Sequence, residues 1–201
     1  MVVARHRGED PIINEKSLAY NWTNEVGYGH TIRFLKNIVG LWVVQECKRT
    51  WANEGTEYNY DQITRMAAEA KPLKCLINPN AARFLKPDDM PAKVVAYCRE
   101  TGQPVPQTHG EIIRCALESL ALVYRKTIAD VSAITGQPIT RLHIVGGGTK
   151  NALLNQFAAN ATGLTILTGP VEATGIGNIL IQALALKHLK SLDELRAVVR
   201  D

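Results

Sequence analysis

An α/β fold is what the sequence predicts, and three observations predict it. Residues 141 to 189 run strand, helix, strand, helix: "RLHIV", three glycines, "KNALLNQFAANA", "LTILT", "GPVEAT" and "GIGNILIQALALKHL". That alternation argues for parallel strands joined by a right-handed crossover helix. Upstream, apolar residues between 31 and 135 recur at three and four, the helical period. Finally, 46% of the 201 residues are hydrophobic and 21% charged, enough for the core of one domain or a domain with an appendage.

Each element follows from its residues. Residues 1 to 30 hold short extended segments with turn residues, "VVAR", "GEDP" and "NWTNEVGYG". "MVVARHRGEDP" reads as the second strand of a hairpin whose first strand is missing. From Thr31 the pattern reads as helical, with Leu35, Ile38, Val39, Trp42 and Val43 on one face, until polar residues 53 to 59 break it. Asn59 and Gln62 form a capping pair for a second helix through "ITRMAAEA". "INPN" at 77 to 80 is a turn signal, and "LKPDDMP" opens a third helix near 88 to 100 that "TGQPVPQ" ends. Thr108 and Glu111 predict a capping box for a long helix, with Ile113, Ala116, Leu117, Leu120, Tyr124, Ile128 and Val131 on one stripe. "TGQP" at 135 to 138 stops it, and Ser191 with Glu194 caps a final short helix.

Composition excludes several classes of function. The net charge of +4 is scattered, and the short basic runs "ARHR" and "ECKR" read as solvated surface, so no nucleic-acid partner is expected. Cys47, Cys75, Cys98 and Cys115 form no CxxC pair and have no zinc-like spacing. They read as small buried apolar residues of a chain kept in a reducing cytoplasm. The N-terminus has no apolar signal-peptide core, and "IGNILIQALAL" is too short and too interrupted by Asn178 and Gln182 to span a bilayer.

The strongest functional signal is "HIVGGGTKN", residues 143 to 151. A strand that ends in Gly146, Gly147 and Gly148 and feeds a helix presents backbone N–H groups to a phosphate or nucleotide. Glycines placed for packing alone are the competing explanation. A P-loop is excluded, because Thr149 separates the last glycine from Lys150, and the dinucleotide fingerprint is excluded for want of its last glycine. "TGIGN" at 174 to 178 follows a turn instead of a strand. Asn37 and Gln45 are expected on the first long helix, about 80° apart around it and roughly 12 Å along it, as ordinary exposed residues. Gly40 between them would cost that helix up to about 1 kcal/mol, which hints at a close approach. Glu172 suits a helix N-terminus by charge. His143 reads as a core histidine and His109 as a polar helix start, and His6, His30 and His188 share no metal-like spacing. No Ser–His–Asp or Cys–His arrangement can be defended.

Four ordered stretches carry a resemblance: "IRFLKNIVGLWVVQECKRTW", "RCALESLALVYRK", "LHIVGGGTKNALLNQFAANATG" and "GPVEATGIGNILIQA". Together, from about Pro11 to the end, they resemble the C-terminal half of FGGY-type carbohydrate kinases, nearest to the rhamnulokinase branch. The resemblance implies an actin-like ATPase (ribonuclease-H-like) lobe, a mixed sheet flanked by helices, with residues 1 to 201 as the ATP-binding domain. It implies ATP and Mg²⁺ as cofactors, and L-rhamnulose as a partner met through an N-terminal sugar-binding lobe outside the chain. It implies Asn37, Gln45, Gly146, Gly147, Gly148 and Asn151 as ATP-binding residues, and so reverses the surface reading of Asn37 and Gln45. No catalytic residue and no metal ligand is implied within the chain. The general-base aspartate belongs to the absent lobe, and the phosphate-binding Ser-Gly-Thr stretch would precede "MVVAR". The expectation is therefore a fragment that is inactive alone, with a non-catalytic nucleotide-binding module or a kinase for another sugar as alternatives.

Overall fold

The expected parallel pair forms. In the computed structural model, which describes residues 2–4 and 10–200, β4 (Arg141–Ile144) runs parallel to β5 (Thr165–Thr168), with Leu142 opposite Ile166 and Ile144 opposite Thr168. The crossover helix α6 (Ala152–Thr162) ends on Gly163 at φ 69°, a left-handed position that glycine takes without a Cβ penalty. Helices α7 (Ala173–Ala185) and α8 (Leu192–Arg200) follow. Ser191 and Glu194 cap α8 as expected: Ser191 Oγ accepts from Glu194 N at 3.2 Å and Glu194 Oε2 from Lys190 N at 2.6 Å.

A second sheet holds β1 (Val2–Ala4), β2 (Thr23–Val26) and β3 (Ile32–Lys36) in the order β1-β3-β2, both pairs antiparallel. Parallel and antiparallel pairing thus both occur, in separate sheets. This sheet corrects the helical reading from Thr31. Residues 32 to 36 form its central strand, and helix α2 (Trp42–Asn53) begins only at Trp42. Leu35, Ile38, Val39, Trp42 and Val43 therefore span a strand, a loop and a helix start. Backbone pairing on both edges of β3 outweighs their accidental spacing. Both Phe34 and Leu35 are buried, and Phe34 stacks on Trp22 with centroids 4.8 Å apart. The segment before β2 also holds a short helix, α1 (Glu15–Ala19), where only extended chain was expected, because Asn14 and Ser17 cap it reciprocally. The rest of the strand expected in "MVVARHRGEDP", residues 5–9 with His6 and most of the first basic run, lies outside the described residues.

The main core surrounds α5 (His109–Thr135), against which α2, α3 (Tyr60–Glu69), α4 (Met90–Glu100) and α6 pack. Leu117, Ile113, Ile63, Val94, Cys47 and Leu154 meet there, all buried. Side-chain caps, two of them read from the sequence, explain where α3, α4 and α5 start. Asn59 and Gln62 exchange two 2.8 Å bonds, and Asp89 accepts from Ala92 N at 2.9 Å. Thr108 accepts from Glu111 N at 3.2 Å, while the Glu111 carboxylate reaches one residue past the expected box, to Gln107 N at 2.6 Å, and also to Lys74 at 2.7 Å.

Two features join α3 to α5. At Gly110 the backbones touch: a Cβ there would stand 2.4 Å from the Met66 carbonyl oxygen. One turn later Arg114, 8% exposed, donates from Nη1 to the carbonyls of Ala67, Ala68 and Ala70 at 3.0–3.1 Å, the open C-terminal end of α3. Its Nε donates to Glu118 Oε1 at 2.8 Å, Glu118 Oε2 accepts from Leu73 N at 2.9 Å, and the guanidinium lies 5.1 Å over the Phe157 ring of α6.

Removing Arg114 leaves the Glu118 carboxylate buried and unpaired, so Arg114→Ala is expected to lower folding stability by about 3–5 kcal/mol in urea denaturation. Gly110→Ala adds a helix-favouring residue worth up to about 1 kcal/mol, yet the forced separation of two backbones outweighs it. A net loss of about 1–3 kcal/mol in the same assay is expected.

Candidate functional site

The glycine turn is tied down from three directions. Gly146 has φ 79°, and its N–H donates to the Pro170 carbonyl at 3.0 Å, while Gly169 N donates to the Ile144 carbonyl at 2.8 Å. The chain leaving β4 is thus stitched to the chain leaving β5, and both strand ends open at the carboxyl edge of the parallel pair. Residues Gly147–Lys150 form one tight helical turn, with Thr149 bonded to the Gly146 carbonyl through N at 3.1 Å and through Oγ1 at 2.9 Å. Asn151 then caps α6, its Oδ1 accepting from Leu154 N at 2.9 Å. From the next turn Asn155 Nδ2 donates to the Thr149 carbonyl at 3.0 Å, and its Oδ1 is buried with no hydrogen-bond partner among the described residues.

What a Cβ would meet separates the two explanations for the glycines. Gly146 needs its left-handed backbone. A Cβ at Gly147 would find nothing within 4 Å, and one at Gly148 only the Ile144 methyl at 3.8 Å. Packing within the chain therefore does not require glycine at 147 or 148, and the space in front of them is open. It belongs to a cavity of about 1580 Å³ that Gly147, Gly148, Lys150 and Asn151 share with Gly40 and Gln45 and, toward α5, with Tyr124, Ile128 and Val131. Single small-molecule sites occupy roughly 300–1,000 Å³, so one ligand of nucleotide size fills part of this space. Burial pushes the Tyr124 phenol up to about 12, which keeps it neutral.

The structure brings together most of the residues singled out from the sequence. Gln45, Gly147, Gly148 and Asn151 line one cavity, with Gly146 directly behind. Asn37 does not join them: it is exposed in the loop after β3, so the helical spacing assigned to Asn37 and Gln45 does not exist. Gly40 lies in the same loop, costs no helix, and faces open space on the cavity wall. The Asn151 oxygen is engaged as a helix cap. His143 is not a core residue: β4 pairs only with β5 among the described residues, and the strand period leaves His143 exposed at the cavity wall. Glu172 precedes α7 as expected but makes no side-chain capping bond. His109 is more than a polar helix start, since it stacks on Trp51 at 4.0 Å and its Nδ1 lies 3.0 Å from the Tyr58 hydroxyl.

Asn155 and Lys150 were not singled out from the sequence. The legible signal for Asn155 was a polar residue four after Asn151 on an otherwise apolar helix face. The four cysteines are buried and free, as read, but Cys75, Cys98 and Cys115 converge, which their spacing did not show. No helix among the described residues is long and apolar enough to cross a membrane.

Comparison with known proteins identifies the family and the fold. Residues 2–186 match the model of the FGGY family of carbohydrate kinases, C-terminal domain. The chain is 42% identical over 189 residues to a rhamnulokinase of Bacteroides thetaiotaomicron, covering 94% of this chain and 38% of that protein. It is also 42% identical over 191 residues to a rhamnulokinase of Bacillus subtilis, covering 95% and 39%. The chain thus spans about two fifths of the length of these curated relatives. Among solved structures it is similar to a Plasmodium falciparum glycerol kinase with ADP, at a TM-score of 0.58 and 16% identity over 88% of this chain and 35% of that one. A xylulose kinase from Rhodospirillum rubrum gives 0.53 and 18% over 82% and 33%. These likenesses show the actin-like ATPase fold.

The cap at the start of α6 is testable by itself. Asn151→Ala is expected to cost about 1 kcal/mol of stability in urea denaturation, the usual value of a lost side-chain cap.

Proposed function

The chain belongs to the FGGY family of carbohydrate kinases, as its C-terminal domain, and from that premise we propose that it is the ATP-binding lobe of a rhamnulokinase. In this reading the whole enzyme transfers the γ-phosphoryl of ATP to the 1-hydroxyl of L-rhamnulose in the cytoplasm and releases rhamnulose 1-phosphate. The curated relatives quoted above are named rhamnulokinase, which supports the sugar. The observation that carries the nucleotide assignment is the empty space in front of Gly147, where a Cβ would touch no atom of the chain.

A nucleoside lies flat against backbone only where side chains are absent, and N–H groups at the start of a helical turn can meet its polar atoms. Gln45 and Asn151, on the same cavity, offer amide groups to it, and Lys150 offers positive charge toward the phosphates. These residues fit an adenine nucleotide. Mg²⁺ commonly rides on substrate phosphates with one or two carboxylates. The cavity lining offers one, Asp61, so this lobe would hold the ion chiefly through the nucleotide. The general base and the sugar contacts are assigned to the N-terminal lobe, and this lobe contributes position and charge.

The activity test joins the chain to the N-terminal lobe of a rhamnulokinase and measures ATP consumption with L-rhamnulose and with other ketoses. Preference for L-rhamnulose supports the reading. Preference for another ketose moves the assignment within the family, and nucleotide binding without any sugar-dependent turnover marks a non-catalytic module. The binding test needs only the chain. ATP and adenosine are expected to bind weakly, at about millimolar affinity or −4 kcal/mol, and to shift the amide resonances of residues 146 to 151. Gly147→Val puts a branched side chain in the ligand's place without changing charge and is expected to abolish those shifts while circular dichroism stays unchanged. Equal binding by Gly147→Val would sink the nucleotide assignment.

A further inference from the structure

Three cysteines far apart in sequence meet inside the fold. Cys75 lies in the loop after α3, Cys98 in the last turn of α4 and Cys115 in the second turn of α5, and their sulfur atoms all lie within 4.8 Å of one another. All three are buried and none is in a disulfide. None lines the cavity at the glycine turn, so the cluster is separate from the nucleotide site. Cys47 is equally buried but stands outside the group. All three belong to the main core, where residues of several elements meet, but it is their sulfur atoms that come together.

Metal–thiolate bonds of about 2.3 Å in a planar three-sulfur arrangement set the sulfurs roughly 4 Å apart. The observed group is already near that spacing. No histidine nitrogen or carboxylate oxygen joins the three sulfurs among the described residues. A structural zinc ion takes four ligands, whereas soft thiolate donors also select copper(I), which accepts three. We propose that Cys75, Cys98 and Cys115 form a three-sulfur site for one copper(I) ion.

The charge balance is simple. Each sulfur–metal bond forms as the S–H proton leaves to solvent, so uptake releases protons and weakens as pH falls. The neighbouring Cys115 and Cys98 side chains and the Lys74 ammonium lower the Cys75 thiol to about 7, against the opposing effect of burial. Burial pushes the Cys98 thiol up to about 12, and the partnership with Cys75 raises that of Cys115, so these two release their protons to solvent only as the sulfur–metal bonds form. Lys74, paired with Glu111 at 2.7 Å, is the cation beside the resulting negative site. The loop that carries Cys75 reaches the surface two residues away, at Leu73.

The test uses the whole reduced chain under anaerobic conditions, titrated with copper(I) against the coloured chelator bathocuproine disulfonate. The chain is expected to take one copper from the chelator, and X-ray absorption of that complex is expected to show three sulfur neighbours, a readout that needs no variant. Cys75→Ser is expected to weaken uptake by about 100-fold or more, since even loss of a supporting group around a metal site costs 10–100-fold. Cys47→Ser is expected to bind like the parent chain. The proposal is overturned if the folded, reduced chain takes up no copper. It is overturned equally if fewer than three sulfurs surround the ion, or if Cys75→Ser binds as tightly as the parent.

Discussion

The arrangement of this lobe depends on one buried guanidinium. Arg114 is nearly out of water, and a charge in that position is tolerated only when it is paired and hydrogen-bonded. Three of its bonds end α3, one fixes Glu118, and its face rests on Phe157. Glu118 in turn holds the Leu73 amide, so the loop leaving α3 is set by the same pair. Because Phe157 belongs to α6, the pair also locates the helix whose first residues form the candidate site. A hydrophobic replacement could fill the same volume, but it would not dictate where α3 stops or how α6 lies on α5.

From that anchor the site follows in short steps. α6 is the crossover between two parallel strands, so its N-terminus must lie at their carboxyl edge. Asn151 begins the helix and Asn155, one turn on, holds the Thr149 carbonyl, which ties the glycine turn to α6. The two cross-links between the turns after β4 and β5 stiffen the floor. The side facing Gln45 and Gly40 is left free for a ligand.

Much of this was legible in the sequence, and the failures have a common cause. The parallel pair, α3 to α6, most caps and the glycine turn rest on local signals: period, capping residues, glycine. The misread parts depend on contacts between distant residues. The strand Ile32–Lys36 looks helical until β1 and β2 are placed beside it. His143 reads as core until β4 is found with one neighbour strand only among the described residues. Asn37 and Gln45 share a helix only if that strand is ignored. Arg114 and Glu118 were visible in "RCALESL" as an i, i+4 pair of opposite charge, an ordinary surface pattern. Nothing local announces that they are buried, or that Cys115 between them meets two other thiols.

Glycine itself makes the distinction between packing and function concrete. Gly110 and Gly147 are the same residue with opposite surroundings. At Gly110 an added Cβ would strike the Met66 carbonyl at 2.4 Å, so the missing side chain is explained within the chain, by two helices in backbone contact. At Gly147 the added Cβ would strike nothing, the backbone is not left-handed, and the residue opens a helical turn where glycine costs conformational entropy. Gly175 and Gly177 inside α7 are equally unhindered, so the empty space alone does not single out Gly147; its place on the cavity does. Gly147 shares that cavity with Gln45 and Asn151, and this shared lining is what supports the nucleotide reading proposed above.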